Sequence, residues 1–214
     1  MVATAAKSGP ALAPEHAQGG TIETLRREAT VCQRCDLYRN ATQLVFGEGR
    51  PSARIVLVGE QPGDREDLTG HPFVGPAGRL LDACLEEAGV DRSQCYVTNA
   101  VKHFKFEPRG KRRIHSKPNA GEIQRCAWWL GAELDVLRPQ LVVALGATAL
   151  YSLVGRGAGV TKDRGRIIET AAYPVLVTIH PSFLLRTIDR PGSESDRAVF
   201  VRDLSQIRRF GAAE

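Results

Sequence analysis

The sequence contains no run close to the ~18 apolar residues that a membrane-spanning helix requires, so we predict no membrane segment. Residues 1–20 lack the apolar core of a signal peptide and are interrupted by Pro10 and Pro14, which indicates a disordered tail. We therefore expect a cytoplasmic protein. Because disulfides rarely persist in the cytoplasm, the five cysteines require a metal, a redox role or simple packing as their explanation.

Acidic side chains are nearly absent from residues 102–117, where Glu107 stands beside seven lysines and arginines. Seven positive charges less one negative charge give this segment +6, whereas the whole chain carries +5, so the basic character is local. Such a patch is typical of a surface that binds a polyanion, most often nucleic acid. A solvated loop that is kept soluble by its charge is the alternative.

The sequence also has no internal repeat and no linker, which favours one domain over residues 21–214. Short, mostly apolar runs alternate with helical patterns, and four of them have the character of strands, at residues 54–60, 95–102, 140–146 and 173–182. This alternation predicts a three-layer α/β/α fold around a central, mostly parallel sheet of four strands.

Polar side chains follow three of the four predicted strands. Ligands of such sheets bind beyond the carboxyl ends of the strands. The residues found there are 60–63, 99–103, 146 and 180–182, and they include Glu60, Asn99 and His180. We therefore predict a site in which these three side chains converge.

The pair Cys32 and Cys35 forms a C-x-x-C motif ahead of the first strand. A thioredoxin-like redox pair would need a βαβ unit directly around the motif, and the sequence has none there. A zinc or iron–sulfur site would need two further ligands, for which the candidates are Cys126, Cys84, Cys95 and His103.

The other candidate ligands differ in their positions. Cys84 lies on the apolar stripe of a predicted helix, where core packing is its better explanation, and Cys95 begins a strand at the end opposite the predicted site. Cys126 lies on the predicted helix 119–137, and His103 lies just past the second strand. Three thiolates and an imidazole suit zinc and, less commonly, an iron–sulfur cluster, and the spacing does not choose between them.

Four motifs occur in order along the chain: GEQPG (59–63), HPFVGPAGRLL (71–81), YVTNAVK (96–102) and HPSFLLR (180–186). Together with the C-x-x-C pair and Cys126, they resemble the uracil-DNA glycosylase superfamily from about residue 32 to about residue 210. The closest resemblance is to its iron–sulfur-containing family 4.

Two departures from family 4 are similar to the UdgX subgroup. Family 4 has a cysteine directly after VK, where this chain has His103, and the stretch before Cys126 is lengthened by RGKRRIH (109–115). UdgX proteins bind uracil-DNA and become covalently attached to it through the histidine of that loop. The resemblance thus implies a [4Fe–4S] cluster held by Cys32, Cys35, His103 and Cys126, with His115 as the attaching residue.

The resemblance also implies roles for the residues around the predicted strand ends. Uracil removal breaks the C1′–N1 bond of a nucleotide rotated out of the stack. Phe73 would stack on the base, Gln61 would line its pocket, Asn99 would read its O4/N3 edge, and His180 would donate a hydrogen bond to its O2. Glu60 would either activate water or accept the proton of His115. DNA phosphates are expected at Gly75, Ala77, Gly78, Lys111, Arg112, Arg113, Ser182 and Arg186.

Three functions remain open on the sequence. The leading one is a monomer that excises uracil from DNA once, preferably single-stranded but also double-stranded, and stays covalently bound. The second is a turnover family 4 enzyme whose basic loop only grips DNA. The third is a metal-bearing nucleic-acid-binding module without catalysis, against which the convergence of Glu60, Asn99 and His180 argues.

Overall fold

The structure is a computed structural model that describes residues 20–211. The tail expected at residues 1–20 lies outside the described residues except for Gly20. Between residues 20 and 211, no helix is both long enough and apolar enough to cross a membrane.

The regular elements alternate along the chain as the sequence predicts. The strands are β1 (Ile55–Gly59), β2 (Cys95–Asn99), β3 (Phe106–Arg109), β4 (Arg112–His115), β5 (Leu141–Leu145), β6 (Ile167–Ile168) and β7 (Val175–Thr178). The helices are α1 (Ile22–Ala29), α2 (Asp64–Thr69), α3 (Pro76–Glu87), α4 (Ala120–Leu137), α5 (Ala147–Val154), α6 (Val160–Asp163), α7 (Pro181–Thr187), α8 (Ser193–Ser205) and α9 (Arg208–Gly211).

The central sheet has the strand order β2-β1-β5-β7-β6, and the first four strands are parallel. Successive side chains of a strand point to opposite faces, so each strand contributes side chains to two apolar cores, one on each face of the sheet. Val56 and Val58 of β1 pack with α1, α4 and α5, whereas Ile55 and Leu57 pack with α3, α7 and α8. The predicted three-layer α/β/α fold is therefore confirmed.

The predicted number of strands in the sheet is wrong by one. A fifth strand, β6, pairs antiparallel with β7 at the edge of the sheet, with Ile167 opposite Leu176. Because β6 contains two residues, it is too short to show the alternation from which strands are predicted.

The basic segment is a β-hairpin and not a loop. Its strands β3 and β4 pair antiparallel, with Arg109 opposite Arg112 and Phe106 opposite His115. Gly110 has a φ of 59° at the tip, in the left-handed region that glycine adopts easily. The hairpin was not predicted because its strands are exposed and charged. It places His115 at the last residue of β4, at the end of the hairpin away from its tip.

Helix α4 begins and ends where its sequence predicts. The Asn119 side chain accepts the Glu122 N–H, and the Glu122 carboxylate accepts the Asn119 N–H, which together form a capping box. The helix ends at Leu137, before Pro139. Its first turn lies beside the hairpin, since Lys105 Nζ is 3.0 Å from Glu122 Oε2.

Candidate active site

Gly59 lies at the bottom of the candidate site, at the carboxyl end of β1. A Cβ atom placed on it would lie 2.4 Å from Asn99 Oδ1 and 2.6 Å from Phe73 Cζ. Only glycine therefore lets the Asn99 amide and the Phe73 ring approach the strand this closely. Asn99, which was predicted to read uracil, and Phe73, which was predicted to stack on it, thus both pack against Gly59.

The Phe73 backbone has a φ of 59°, in the left-handed region where a large side chain is rare. Its carbonyl oxygen faces the first turn of α3, where a Cβ atom on Gly78 would lie 1.6 Å away. Gly78 therefore permits the close packing that holds Phe73 in this conformation. Strained backbone of this kind persists where the surrounding structure over-determines it, often at a functional site.

His180 caps α7 through its own ring. Its Nδ1 accepts the N–H of Ser182 at 3.1 Å, which leaves the proton of the neutral ring on Nε2. Burial lowers the pKa of His180 to about 4, an effect that Arg186 and His115 reinforce and Glu60 opposes. The ring is thus a neutral hydrogen-bond donor at pH 7. It stacks beside Phe73, with 6.2 Å between ring centroids and 29° between planes.

Glu60, directly after β1, contacts the other candidate catalytic histidine. Its Oε1 lies 3.1 Å from His115 Nε2, and its Oε2 accepts the hydroxyl proton of Thr148 in a short hydrogen bond. Burial alone would raise the pKa of Glu60, but hydrogen bonds from His115 and Thr148 outweigh it and lower the pKa below its usual value. The carboxylate is therefore ionised at neutral pH.

Thr148 is a site residue that the sequence analysis missed. It lies in the first turn of α5, just beyond β5, and it is buried. The fourth strand-end loop therefore also supplies a polar group. Its sequence signal was a single threonine inside the apolar run ATALYSLV, which reads as core.

Arg113 anchors the hairpin to the rest of the protein. Its guanidinium donates to Asp64 Oδ1 and Asp67 Oδ2, each at 2.6 Å. The same group lies over the rings of Phe104 and Phe106 at 5.5 and 5.1 Å. From its sequence context, Arg113 was predicted to contact phosphate beside Lys111 and Arg112. The structure directs it inward instead, and the latter two lie exposed at or beside the tip.

Gln61 holds the base of the hairpin. Its Nε2 donates to the carbonyls of Lys105 and Ser116 at 3.1 and 3.2 Å, and its Oε1 accepts the Lys105 N–H at 3.1 Å. The side chain was expected to line a base pocket. Both ends of its amide are instead bonded to the two chain segments from which the hairpin projects.

The predicted phosphate-binding turn is partly occupied by a carboxylate. The N–H of Gly75 donates to Glu66 Oε1 at 2.8 Å, and the N–H of Gly63 donates to Oε2 at 3.1 Å. Gly75 therefore does not have the free N–H that was expected. Ala77 and Gly78 also lie in the first turn of α3, where N–H groups lack an intrahelical acceptor, so the prediction for them stands.

Ser182 and Arg186 are linked to His180. Ser182 Oγ lies 2.8 Å from His180 Nδ1 and accepts a hydrogen bond from Arg186 Nη1 at 3.0 Å. Arg186 is on the exposed side of this chain of contacts. Phosphate binding by these two residues stays a prediction.

Three of the four predicted cluster ligands lie near one another. Burial raises the pKa of the Cys126 thiol to about 12, opposed by Lys102 and reinforced by Cys35 and Cys32. Two sulfurs accept hydrogen bonds, Cys32 Sγ from Trp129 Nε1 at 3.0 Å and Cys126 Sγ from the Lys102 N–H at 3.1 Å. N–H donors aimed at sulfur are typical of iron–sulfur sites.

His103, the fourth predicted ligand, is buried and directly follows the residue whose N–H contacts Cys126. Burial lowers the pKa of His103 to about 4, so the ring is neutral, which is the form that binds metals. Among residues 20–211, no group of three or more His, Cys, Asp or Glu side chains is spaced to hold one metal ion. Ligands of a four-iron cluster bind different iron atoms, so they lie farther apart than ligands of one ion. The residue types fit a cluster.

The two remaining cysteines lie elsewhere. Cys84 and Cys95 are buried in the apolar core between the sheet and α3. The packing explanation for Cys84 is confirmed. Both thiols are on the opposite face of the sheet from Cys126.

The chain belongs to the uracil DNA glycosylase superfamily, whose family model matches residues 46–205. It is 38% identical to the type-4 uracil-DNA glycosylase of Thermotoga maritima, over 88% of this chain and 94% of that protein. It is 36% identical to the type-4 uracil-DNA glycosylase of Sulfurisphaera tokodaii, over 77% of this chain and 76% of that protein. The chain is also 28% identical to a type-5 uracil-DNA glycosylase of Pyrobaculum aerophilum, over 78% of this chain and 74% of that protein. The predicted superfamily and the likeness to family 4 are confirmed.

Proposed function

We propose that residues 21–214 form a single, monomeric domain that excises uracil from DNA and remains covalently attached to the deoxyribose through His115, as in the UdgX subgroup. The observation that carries the proposal is the contact between His115 Nε2 and Glu60 Oε1 at 3.1 Å. The hairpin holds the His115 imidazole against the Glu60 carboxylate, which a hydrolytic enzyme would use to activate water. Side chains with the chemistry to bind uracil lie around the same strand ends.

The first chemical event is loss of the base. As the C1′–N1 bond breaks, its electron pair leaves with uracil, and positive charge develops on the sugar. Neutral His180 stabilises the departing base by donating a hydrogen bond from Nε2 to O2. The Asn99 amide reads the O4/N3 edge, since it both donates and accepts, and Phe73 supplies an apolar face to the base.

The second event forms the link to the protein. His115 Nε2 bonds to C1′ while its proton passes to Glu60 Oε1, so the product is a neutral alkylated imidazole and a protonated carboxyl group. Thr148 holds the other carboxylate oxygen, which leaves Oε1 facing the imidazole. Because the carboxylate is ionised and the hairpin is anchored by Arg113, both reactants are in place before DNA binds.

The cluster belongs to the same proposal. Cys32, Cys35, Cys126 and His103 would hold a [4Fe–4S] cluster, and two protein N–H groups would donate to its sulfur ligands. When bound, the cluster would tie the segment around residues 32–35 to α4.

DNA recognition completes the proposal. Lys111 and Arg112 at the exposed end of the hairpin would contact phosphates beside the extruded nucleotide, preferably in single-stranded DNA. Ala77, Gly78, Ser182 and Arg186 would contact the backbone on the other side.

A direct test is incubation with a uracil-containing single-stranded oligonucleotide, then denaturing electrophoresis and peptide mass mapping, with the duplex in parallel. We expect a denaturant-resistant protein–DNA band with the mass of the deoxyribose on the peptide that contains His115. His115→Ala should abolish the band. Ile114→Ala is a matched control, because Ile114 is the exposed neighbour of His115 and its variant should retain the band. A band that survives His115→Ala would exclude His115 as the linking residue.

A turnover enzyme is the second candidate, and the identity with type-4 enzymes favours it. In that case Glu60 would activate water, and the hairpin would only grip DNA. The two candidates differ in free abasic DNA, which exceeds one equivalent of the protein only with turnover. Salt-dependent DNA binding without uracil release would instead indicate a non-catalytic module.

A further inference from the structure

Lys102 and Glu133 form an ion pair that is completely buried behind the candidate site. Neither side chain has a part in the chemistry proposed above. Burying two charges is costly, and a buried ion pair is often no more stabilising than an apolar pair of the same volume. Core stability alone therefore does not explain a lysine at this position.

The Lys102 ammonium group contacts the turn that carries Asn99. Its three donors bond to Glu133 Oε2, to Thr98 Oγ1 and to the main-chain carbonyl of Asn99, the last at 2.9 Å. Every proton of the ammonium group is therefore used. One of these bonds fixes the peptide unit that follows the side chain predicted to read uracil.

The main chain of Lys102 is held as firmly as its side chain. Its N–H donates to Cys126 Sγ at 3.1 Å, and its carbonyl accepts the N–H of Val45 at 2.9 Å. The residues between Asn99 and Lys102 are bonded to the end of β1, where Gly59 and Glu60 accept the next two N–H groups of the turn. Lys102 thus closes a turn that joins the base reader to the cysteine site.

Glu133 is what holds the ammonium group in place. Its carboxylate also accepts hydrogen bonds from the Tyr96 hydroxyl, the Thr98 hydroxyl and the Gly47 N–H. It lies seven residues after Cys126 on α4, and this spacing puts the two on one face of the helix. The same helix face therefore supports both ends of the Lys102 contact network.

We propose that Lys102, held by Glu133, is a positioning residue that sets the orientation of the Asn99 amide and thereby the affinity for uracil. This inference rests on the proposed function, in which Asn99 reads the base. Lys102 acts through the Asn99 backbone and does not touch the substrate.

The test uses Lys102→Met together with Glu133→Gln. This double variant removes both charges and keeps the volume, so no buried charge loses its partner. Single-turnover uracil release is measured against enzyme concentration. The comparison substrate is the same oligonucleotide with a tetrahydrofuran abasic analogue, whose binding needs no base reader.

We expect the enzyme concentration at half-maximal uracil release to rise about tenfold, as when one hydrogen bond is misaligned, with a smaller change in the maximal rate. Affinity for the abasic analogue should change by less than about twofold, because phosphate contacts are unaffected. An equal loss on both oligonucleotides, or no loss on either, would overturn the positioning role. A double variant without the wild-type circular dichroism spectrum would also overturn it, since the pair would then serve the core.

The wild-type protein separates this inference from the function on which it rests. If it releases no uracil, both are overturned. If it releases uracil and the double variant binds uracil-DNA as tightly as the wild type, only the role of Lys102 is overturned.

Discussion

The carboxylate of Glu60 lies between His115, at 3.1 Å from Nε2, and the hydroxyl of Thr148. Since the Thr148 hydroxyl is bonded to Oε2, Oε1 is the oxygen that contacts the imidazole. The hydrogen bonds also keep the carboxylate ionised despite its burial. Thr148, which looks like a core residue in the sequence, therefore helps to keep Glu60 ionised.

Thr148→Val should raise the pKa of Glu60, because it removes a hydrogen bond to the ionised form while burial is unchanged. A base with a higher pKa is protonated at a higher pH, so the acid side of the pH profile for covalent attachment should move to higher pH. The rate of attachment should fall by a factor of roughly ten on the acid side of the profile, which corresponds to the loss of about one hydrogen bond to a charged group, and it should change little at pH 7, where the carboxylate stays ionised. The measurement is the single-turnover rate from pH 4.5 to 8.

Ser152→Ala is the matched control for this substitution. Ser152 is a buried residue on the same helix, and its hydroxyl has no hydrogen-bond partner among the described residues. Its pH profile should coincide with that of the wild type. A Thr148→Val profile that also coincides would show that the threonine does not tune Glu60.

Arg113→Leu should separate uracil release from covalent attachment. The substitution removes the bonds to Asp64 and Asp67 that fix the hairpin, while the bond-breaking groups Asn99 and His180 lie outside it. Water should then compete with His115 for C1′, so that abasic DNA appears beside a weaker covalent band. The buried Asp67 carboxylate loses its cation, which should lower the free energy of unfolding by about 1–3 kcal/mol.

Arg112→Leu provides the comparison, since Arg112 is exposed at the other side of the strand. It should weaken DNA binding in a salt-dependent way and leave the ratio of attached to free abasic product unchanged. If Arg113→Leu gave this same behaviour, Arg113 would be a phosphate ligand, as its sequence context suggested.

The sheet could be predicted from sequence because its strands are short β-branched apolar runs buried on both faces. The convergence of Glu60, Asn99 and His180 followed from the rule that parallel strands expose their carboxyl ends at one edge. Gln61 and Arg113 show where such reasoning stops. Both have the chemistry to contact a base or a phosphate, and only the position of the hairpin reveals that they hold it. That position depends on contacts between residues more than forty positions apart.

His180 should make the stability of the protein depend on pH. Its pKa is about 4 in the folded protein and ~6.5 in the unfolded chain, so between these values the unfolded state binds more protons. Stability is therefore complete above pH ~6.5 and is lost as the pH falls towards 4, by about 3 kcal/mol from this group. The measurement is urea unfolding at pH 7 and pH 4.5, in the wild type and in His180→Asn.

His180→Asn should lose less stability than the wild type between these two pH values, because asparagine does not titrate but still accepts the Ser182 N–H as a helix cap. Equal losses would assign the acid sensitivity to other groups. Uracil release by this variant should be slow at both pH values, since its amide does not reach uracil O2 from the same position.

Trp129→Phe tests the proposed cluster through one hydrogen bond. The substitution keeps an aromatic ring over the cysteine site and removes the N–H that lies 3.0 Å from Cys32 Sγ. Hydrogen bonds to ligand sulfur stabilise the reduced state of an iron–sulfur cluster, so the reduction potential should fall. Purified wild-type protein should be brown, and the variant should lose its visible absorbance faster in a chelator. Colourless wild-type protein that contains stoichiometric zinc would overturn the cluster assignment.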